Sequence, residues 1–396
     1  MSAALRASSA RFGHLYTVFD PAPAAPPTGP LAGWTVGVKD NLALAGRTTY
    51  AGSPVPWDPR PARRSARAVE LLERAGARVV ASTAMDELAH GFTTSNEHRP
   101  VCRNPHDPDR TAGGSSGGSA VAVALGDVRL ALGTDTNGSV RVPASLCGVV
   151  GFKPGFGRVD AGGLVPFARS LDHVGWFTRT VADSAAVLDV LVPGDDAPGP
   201  VRTAAVDVGD WADADGLAAQ ERAVAALGVR ERVAFPWFEE AMAASLVVTA
   251  VEGAEAHHAT LLRHRQRLGR GVRTGLTAGL AVPGAAYVAA QRYRELLRRR
   301  VGQLLHTTDV LVLPTTPGSA PRHDQDRIAL GHGREADREP YLGVLTAPFS
   351  FLGLPAVSVP SGGDLPVGVQ LVGRAGSERA LLQVAARLEA AIGVPA

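Results

Sequence analysis

Two serine-bearing stretches and one lysine hold the chemistry this sequence offers. TAGGSSGGSA at 111–120 encloses Ser115 and Ser116 between glycines, and LGTDTNGSVRVPASLCG at 132–148 encloses Ser139 among small residues. A serine hydroxyl is a weak nucleophile until a base takes its proton and N–H donors hold the oxyanion its attack creates. Small neighbours let backbone N–H groups approach a reacting carbonyl closely. Lys39 closes the apolar run WTVGVK at 34–39, where partial burial would lower its ammonium pKa towards that of a useful base. Taken singly, each motif also fits a plain glycine-rich turn or a surface lysine with its stem on apolar residues.

Other chemistries fit less well. TAGGSSGGSA matches G-x-S-x-G on both Ser115 and Ser116, but a nucleophile elbow needs a strand just before it. RPVCRNPHDPDRTA, rich in proline and aspartate, makes a poor buried strand. A Walker A loop needs a lysine after its glycines, and none follows here. The two cysteines, Cys102 and Cys147, lie in no CxxC, and the 11 histidines form no HxH or HExxH, so neither a zinc site nor any other metal is expected. No cofactor is implied. With 40 Lys+Arg against 38 Asp+Glu there is no basic excess to release counterions, so nucleic acid is not an expected partner. The basic run RELLRRR at 294–300 reads as a solvated helix face. The N-terminus lacks the apolar core of a signal peptide, and no apolar run approaches the roughly 20 residues that span a bilayer. A cytoplasmic protein without a membrane partner is the expectation.

The elements that must position these residues follow from hydrophobic period. Strands are expected at 34–39, 77–82, 128–134, 147–153, 309–314, 355–360 and 366–373, and helices at 63–77, 119–126, 180–191, 237–268, 283–305 and from Glu378 onward. Their alternation is that of an α/β protein with helices packed on a central sheet. PAPAAPPTGP at 21–30 reads as a linker, so a single folded domain is expected over 31–396 after an N-terminal segment at 1–30.

GVKDN, GGSSGGSA, DTNGSVRVPASLCGVVGFKP and SLDHVGWFTRTVAD, in this order, together resemble the amidase signature family, and the likeness runs from about Leu31 to the C-terminal FLGLPAVSVP and LPVGVQLVG. The resemblance implies a large mixed central β-sheet flanked by helices on both faces, and hydrolysis of amide or related C–N bonds by a Ser–Ser–Lys triad. Ser139 would then be the nucleophile, Ser115 the bridging serine and Lys39 the base. A neutral lysine can take a proton from Ser115 while Ser115 takes one from Ser139, so no histidine is needed. Backbone N–H groups from Thr136, Asn137, Gly138 and Ser139 would form the oxyanion hole. Ser116 would support its loop and Ser119 cap the following helix. Thr134 and Asp135 would orient the site, or merely fasten the loop. Arg141 would face the pocket if the chain is extended there, or else form an internal salt bridge.

The sequence departs from the family pattern at Asn137, where glycine is usual. Asparagine tolerates positive φ, so the turn would survive while its amide projects near the site. DTNGS, AHGFTTSNEH with RNPHDPDR, and the C-terminal segments look most like the carboxybiuret hydrolase branch, which acts on small ureido acids. A small carboxylated urea or amide is therefore the expected substrate, with Arg292 and Arg294 as the cations for its acidic group. The short, alanine-rich stretch from about Val192 to Pro236 leaves room for a specialised biosynthetic amidase on a larger amide. The same triad also serves glutaminase-like amidotransferase subunits, and a catalytically silent binder on this fold is a further alternative. A homodimer is the base-rate expectation, with the need for a small helper subunit left open.

Overall fold

Short runs rich in valine, leucine and alanine, punctuated by glycine and proline, supply the strands of one large sheet. The computed structural model describes residues 1–20, 28–194 and 199–393. Most of the expected linker, residues 21–27, lies outside the described residues. The strands are β1 (Leu15–Val18), β2 (Thr35–Lys39), β3 (Arg78–Thr83), β4 (Leu130–Asp135), β5 (Val150–Lys153), β6 (His173–Thr178), β7 (Thr203–Asp207), β8 (Glu231–Ala234), β9 (Val310–Pro314), β10 (Arg327–Ala329), β11 (Glu335–Asp337), β12 (Ala356–Pro360) and β13 (Gly368–Gly373). The helices are α1 (Ser2–Phe12), α2 (Arg67–Arg74), α3 (Gly117–Ala124), α4 (Arg141–Cys147), α5 (Val181–Leu191), α6 (Ala214–Leu227), α7 (Phe238–Ala256), α8 (His258–His264), α9 (Arg270–Ala281), α10 (Gly284–Thr307), α11 (Arg338–Tyr341), α12 (Ala347–Phe351) and α13 (Glu378–Ile392).

Eleven strands join in the order β1-β3-β2-β4-β6-β5-β12-β13-β9-β7-β8, and β10 and β11 form a separate antiparallel ribbon. The sheet is mixed: β2 runs parallel to β3 and β4, whereas β6, β5, β12 and β13 alternate in direction. Its central strands are buried along their whole length, as strands covered on both faces must be. Side-chain alternation sends Leu130 and Leu132 of β4 to a cluster with α2, α5, α6 and α13, and Ala131 to one with α1, α3 and α4. On β9, Val310 and Val312 join the first cluster, while Leu311 and Leu313 meet α7, α9, α10 and α12. This is the mixed α/β architecture expected from the sequence.

Three local outcomes differ from expectation. The fold does not begin at residue 31, because α1 and β1 are part of it: Leu5, Phe12 and Leu15 are buried, and β1 pairs antiparallel with β3 at the sheet edge. A four-residue strand carries too little period to be read locally, and its partner is distant in sequence. The chain after Ser139 is not extended but turns at once into α4, whose Pro143 sits in the first turn, where a missing N–H costs nothing. Residues 192–236 hold β7, α6 and β8, which complete the far edge of the sheet. No helix among the described residues is long and apolar enough to cross a membrane.

Candidate active site

Lys39 ends β2 and Asp135 ends the parallel neighbour β4, so the sheet brings the two loops that follow to one rim. The glycine-rich segment enters α3 beside that rim, and residues 136–140 lead from β4 into α4. Ser116 N–H donates to Ser139 O at 3.3 Å, tying the two serine-bearing segments together. Ser116 Oγ also donates to Thr134 O at 3.1 Å. Ser116, not Ser119, occupies the N-cap position of α3. Ser119 lies inside the first turn, and its Oγ bonds Leu132 O and Thr83 Oγ1, which binds helix to sheet.

Lys39 is fully buried, and its Nζ donates to Ser115 Oγ and to Thr134 Oγ1, each at 2.8 Å. Thr134 Oγ1 also accepts from Asn41 Nδ2 at 3.1 Å. Burial penalises the ammonium and lowers its pKa to about 7, against the opposing pull of Asp86, Asp135 and Asp172. The Gly114–Ser115 peptide bond is cis. Gly114 admits no side chain, since a Cβ would come within 2.2 Å of Asp86 Oδ2.

Of the two serines and the lysine, only Ser139 lines a cavity of about 250 Å³, together with Thr136 and Asn137. Phe92, Phe167 and Leu246 give this cavity apolar walls, and His90 and Glu339 add polar groups. Among the described residues, no backbone N–H of Asn137, Gly138 or Ser139 donates to a protein acceptor, so these donors are available to a ligand. Gly138 takes the positive φ of the turn, 138°, and a Cβ there would lie 2.1 Å from Thr346 Oγ1. Asn137 does not adopt the positive φ expected of it. Its amide turns towards α7, where Oδ1 accepts from Ser245 Oγ at 2.6 Å and Nδ2 donates to Thr249 Oγ1 at 2.9 Å.

The loop is braced from both ends. Arg141 grips Asp135 through Nε–Oδ2 at 3.0 Å and Nη2–Oδ1 at 2.9 Å, with both side chains fully buried. Burial alone would raise the Asp135 carboxyl, but the Arg141 guanidinium holds it well below the usual carboxylate range. Arg141 Nη1 reaches Thr346 O and Gln370 Oε1, each at 3.1 Å, so this arginine is an internal brace rather than a pocket cation. Thr136 Oγ1 donates to Asp172 Oδ1 at 2.7 Å. Arg294 is buried against Phe351 O and Ser170 O, and Arg292 is exposed on α10; neither lines the cavity. No cluster of three or more His, Cys, Asp or Glu among the described residues could hold a metal ion.

Sequence reasoning passed over Asn41, Asp86, His90 and Glu339. Asn41 stood inside the GVKDN motif, two positions after Lys39. The other three come from segments whose approach to the site is visible only in the fold.

Residues 20–207 and 237–382 match the family model described as Amidase. The chain belongs to the amidase signature family. This amidase is 40% identical over 368 residues to AtzE, a 1-carboxybiuret hydrolase subunit of Pseudomonas sp. (strain ADP), covering 87% of this chain and 80% of the relative. It is 38% identical to a glutamyl-tRNA(Gln) amidotransferase subunit of Synechococcus sp. (strain RCC307), over 93% of this chain and 85% of that one. Its structure superposes with a TM-score of 0.93 on a chain of an inhibitor-bound vestigial protein complex described as revealing the origins of an s-triazine catabolic enzyme, at 34% identity, covering 100% of this chain and 94% of the other. The amidase is thus a hydrolase acting on C–N amide bonds.

Proposed function

We propose that this amidase hydrolyses small amides through an acyl-enzyme formed on Ser139, with Ser115 as proton relay and Lys39 as base. The observation that carries the reading is the position of Ser139 on the cavity wall, with a buried lysine of lowered pKa bonded to Ser115 behind it. Ser139 Oγ attacks the amide carbonyl and passes its proton to Ser115, whose own proton moves to neutral Lys39. The oxyanion is received by backbone N–H groups of the 136–139 turn. Collapse of the tetrahedral intermediate expels the amine, protonated by the same relay in reverse, and water then releases the acid by the mirror sequence. Asp135, Arg141 and Thr134 hold the loop and the lysine in place.

The kinship with a carboxybiuret hydrolase component supports small-amide hydrolysis. A carboxylated urea would need a cation, and the cavity walls include no lysine or arginine among the described residues. The likeness to amidotransferase components keeps glutamine among the substrates to be tried. A cytoplasmic homodimer is part of the same proposal, on composition and base rate. Ammonia release from the wild type and Ser139→Ala, across neutral, cationic and carboxylated amides with glutamine and ureido acids, tests the reading. Turnover that is lost in the variant is expected, and turnover that survives would refute the assignment of Ser139.

A further inference from the structure

We infer that Glu339 makes this cavity select amides bearing an ammonium or other N–H donor and turn away amides bearing a carboxylate. The inference rests on the Ser139 reading above, because it names the substrate class of that same cavity.

Glu339 is the one Asp, Glu, Lys or Arg among the described residues that line the cavity. Its carboxylate is held in place without being neutralised. Oε2 accepts from Phe92 N–H and Oε1 from Thr93 Oγ1, each at 2.9 Å, and both donors are uncharged. An ionised carboxylate offers about four lone-pair sites, so about two remain for a ligand. Glu339 is exposed at the cavity mouth, where solvent reaches it. His90, the other ionisable group on the wall, is lowered in pKa by burial, against the opposing pull of Glu339, so its charged form is disfavoured. The field of Glu339 reaches behind the wall: Asp86 is pushed up first by burial and next by Glu339.

A carboxylated substrate entering this space would lose water and meet a like charge with no cation to offset it. A substrate with an ammonium on a short methylene chain would pack the chain on Phe92, Phe167 and Leu246 and present its cation to Glu339. The charge is anchored by one backbone and one hydroxyl donor, each at 2.9 Å, so it stays on the cavity wall and discriminates by sign.

The test compares kcat/KM for 4-aminobutanamide, pentanamide and succinamate, three amides of similar length carrying a positive, no and a negative charge. It is run on wild type, Glu339→Gln and Glu339→Asp at one pH above the Lys39 transition. The wild type is expected to favour the cationic over the anionic amide by at least about tenfold, and Glu339→Gln to shrink that ratio by about tenfold. Glu339→Asp, which keeps the charge, should keep the order. Where one of the three is not turned over, its inhibition constant against a substrate that is turned over reads the same preference. A ratio unchanged in Glu339→Gln, all three amides falling together, or a wild type that favours succinamate would overturn the inference. Ser139→Ala separates the two failures: activity that survives it defeats the proposed function, whereas activity lost in it alongside a flat charge series defeats only the role of Glu339.

Discussion

Lys39 Nζ sits 2.8 Å from Ser115 Oγ in a site with no solvent exposure at either residue. The pairing explains how a lysine can act as a base near neutrality. Water is excluded, the ammonium loses its hydration, and the neutral amine becomes accessible at physiological pH. A carboxylate at hydrogen-bond distance would have undone this; the bonded partners are instead two hydroxyls, Ser115 and Thr134.

Lys39→Met should therefore separate activity from stability. Loss of the proposed base is expected to lower kcat by about 10²- to 10⁴-fold. The fold should not suffer, because a buried ammonium is replaced by an apolar chain of similar length. The sign of the linkage follows from a folded-state pKa of about 7 against the ordinary 10.5. Between those values the unfolded chain binds more protons, so this residue makes stability rise with pH across that window and fall as pH drops through it. Urea unfolding at several pH values checks this: the Met variant should lose that part of the rise.

The pH–rate profile carries the same signature. kcat/KM for a neutral amide should climb through about pH 7 as Lys39 loses its proton and then level off. A profile that is flat from pH 6 to 9, about a unit below to two above that value, would place the base elsewhere.

Gly138→Ala tests the proposed oxyanion turn. A Cβ would meet Thr346 Oγ1 at 2.1 Å on a backbone whose φ is 138°. The turn must shift, and with it the N–H donors of residues 137–139 that have no protein acceptor among the described residues. A fall in kcat of about 10²- to 10³-fold is expected, the range seen for loss of one oxyanion donor, with KM changing far less.

Arg141→Met should act on stability first. It strands the Asp135 carboxylate in a fully buried site, and breaking such a pair costs about 3–5 kcal/mol. Adding Asp135→Asn to the same chain should recover part of that loss. Denaturant unfolding of the two single variants and the double variant reads the coupling.

Much of the fold was legible in the sequence, and the residues of the proposed chemistry lie in short local motifs. Gly138, Ser139 and Lys39 could be picked out by type and neighbours, and the apolar runs of β2, β4, β9 and β13 announced a buried sheet. What stayed hidden depends on distant partners. β1 becomes a strand only by pairing with β3, and α4 hides behind a proline that reads as a break but sits harmlessly in a first turn. Asn137 lines the cavity as expected, but the hold of Ser245 and Thr249 of α7, more than a hundred residues on, on its amide left no local sign. Arg294 looked like a free cation on a basic helix, yet the carbonyls of Ser170 and Phe351 hold it. Glu339 stands among exposed charged residues and gave no local sign of facing a cavity.

The central claim is that Ser139 carries the acyl group. A small fluorophosphonate, which forms a stable bond with an activated serine, should add once per chain and map by peptide mass spectrometry to Ser139, with no adduct in Ser139→Ala and a slowed one in Lys39→Met. An adduct on Ser115, or labelling that survives in Ser139→Ala at the wild-type rate, would contradict the account.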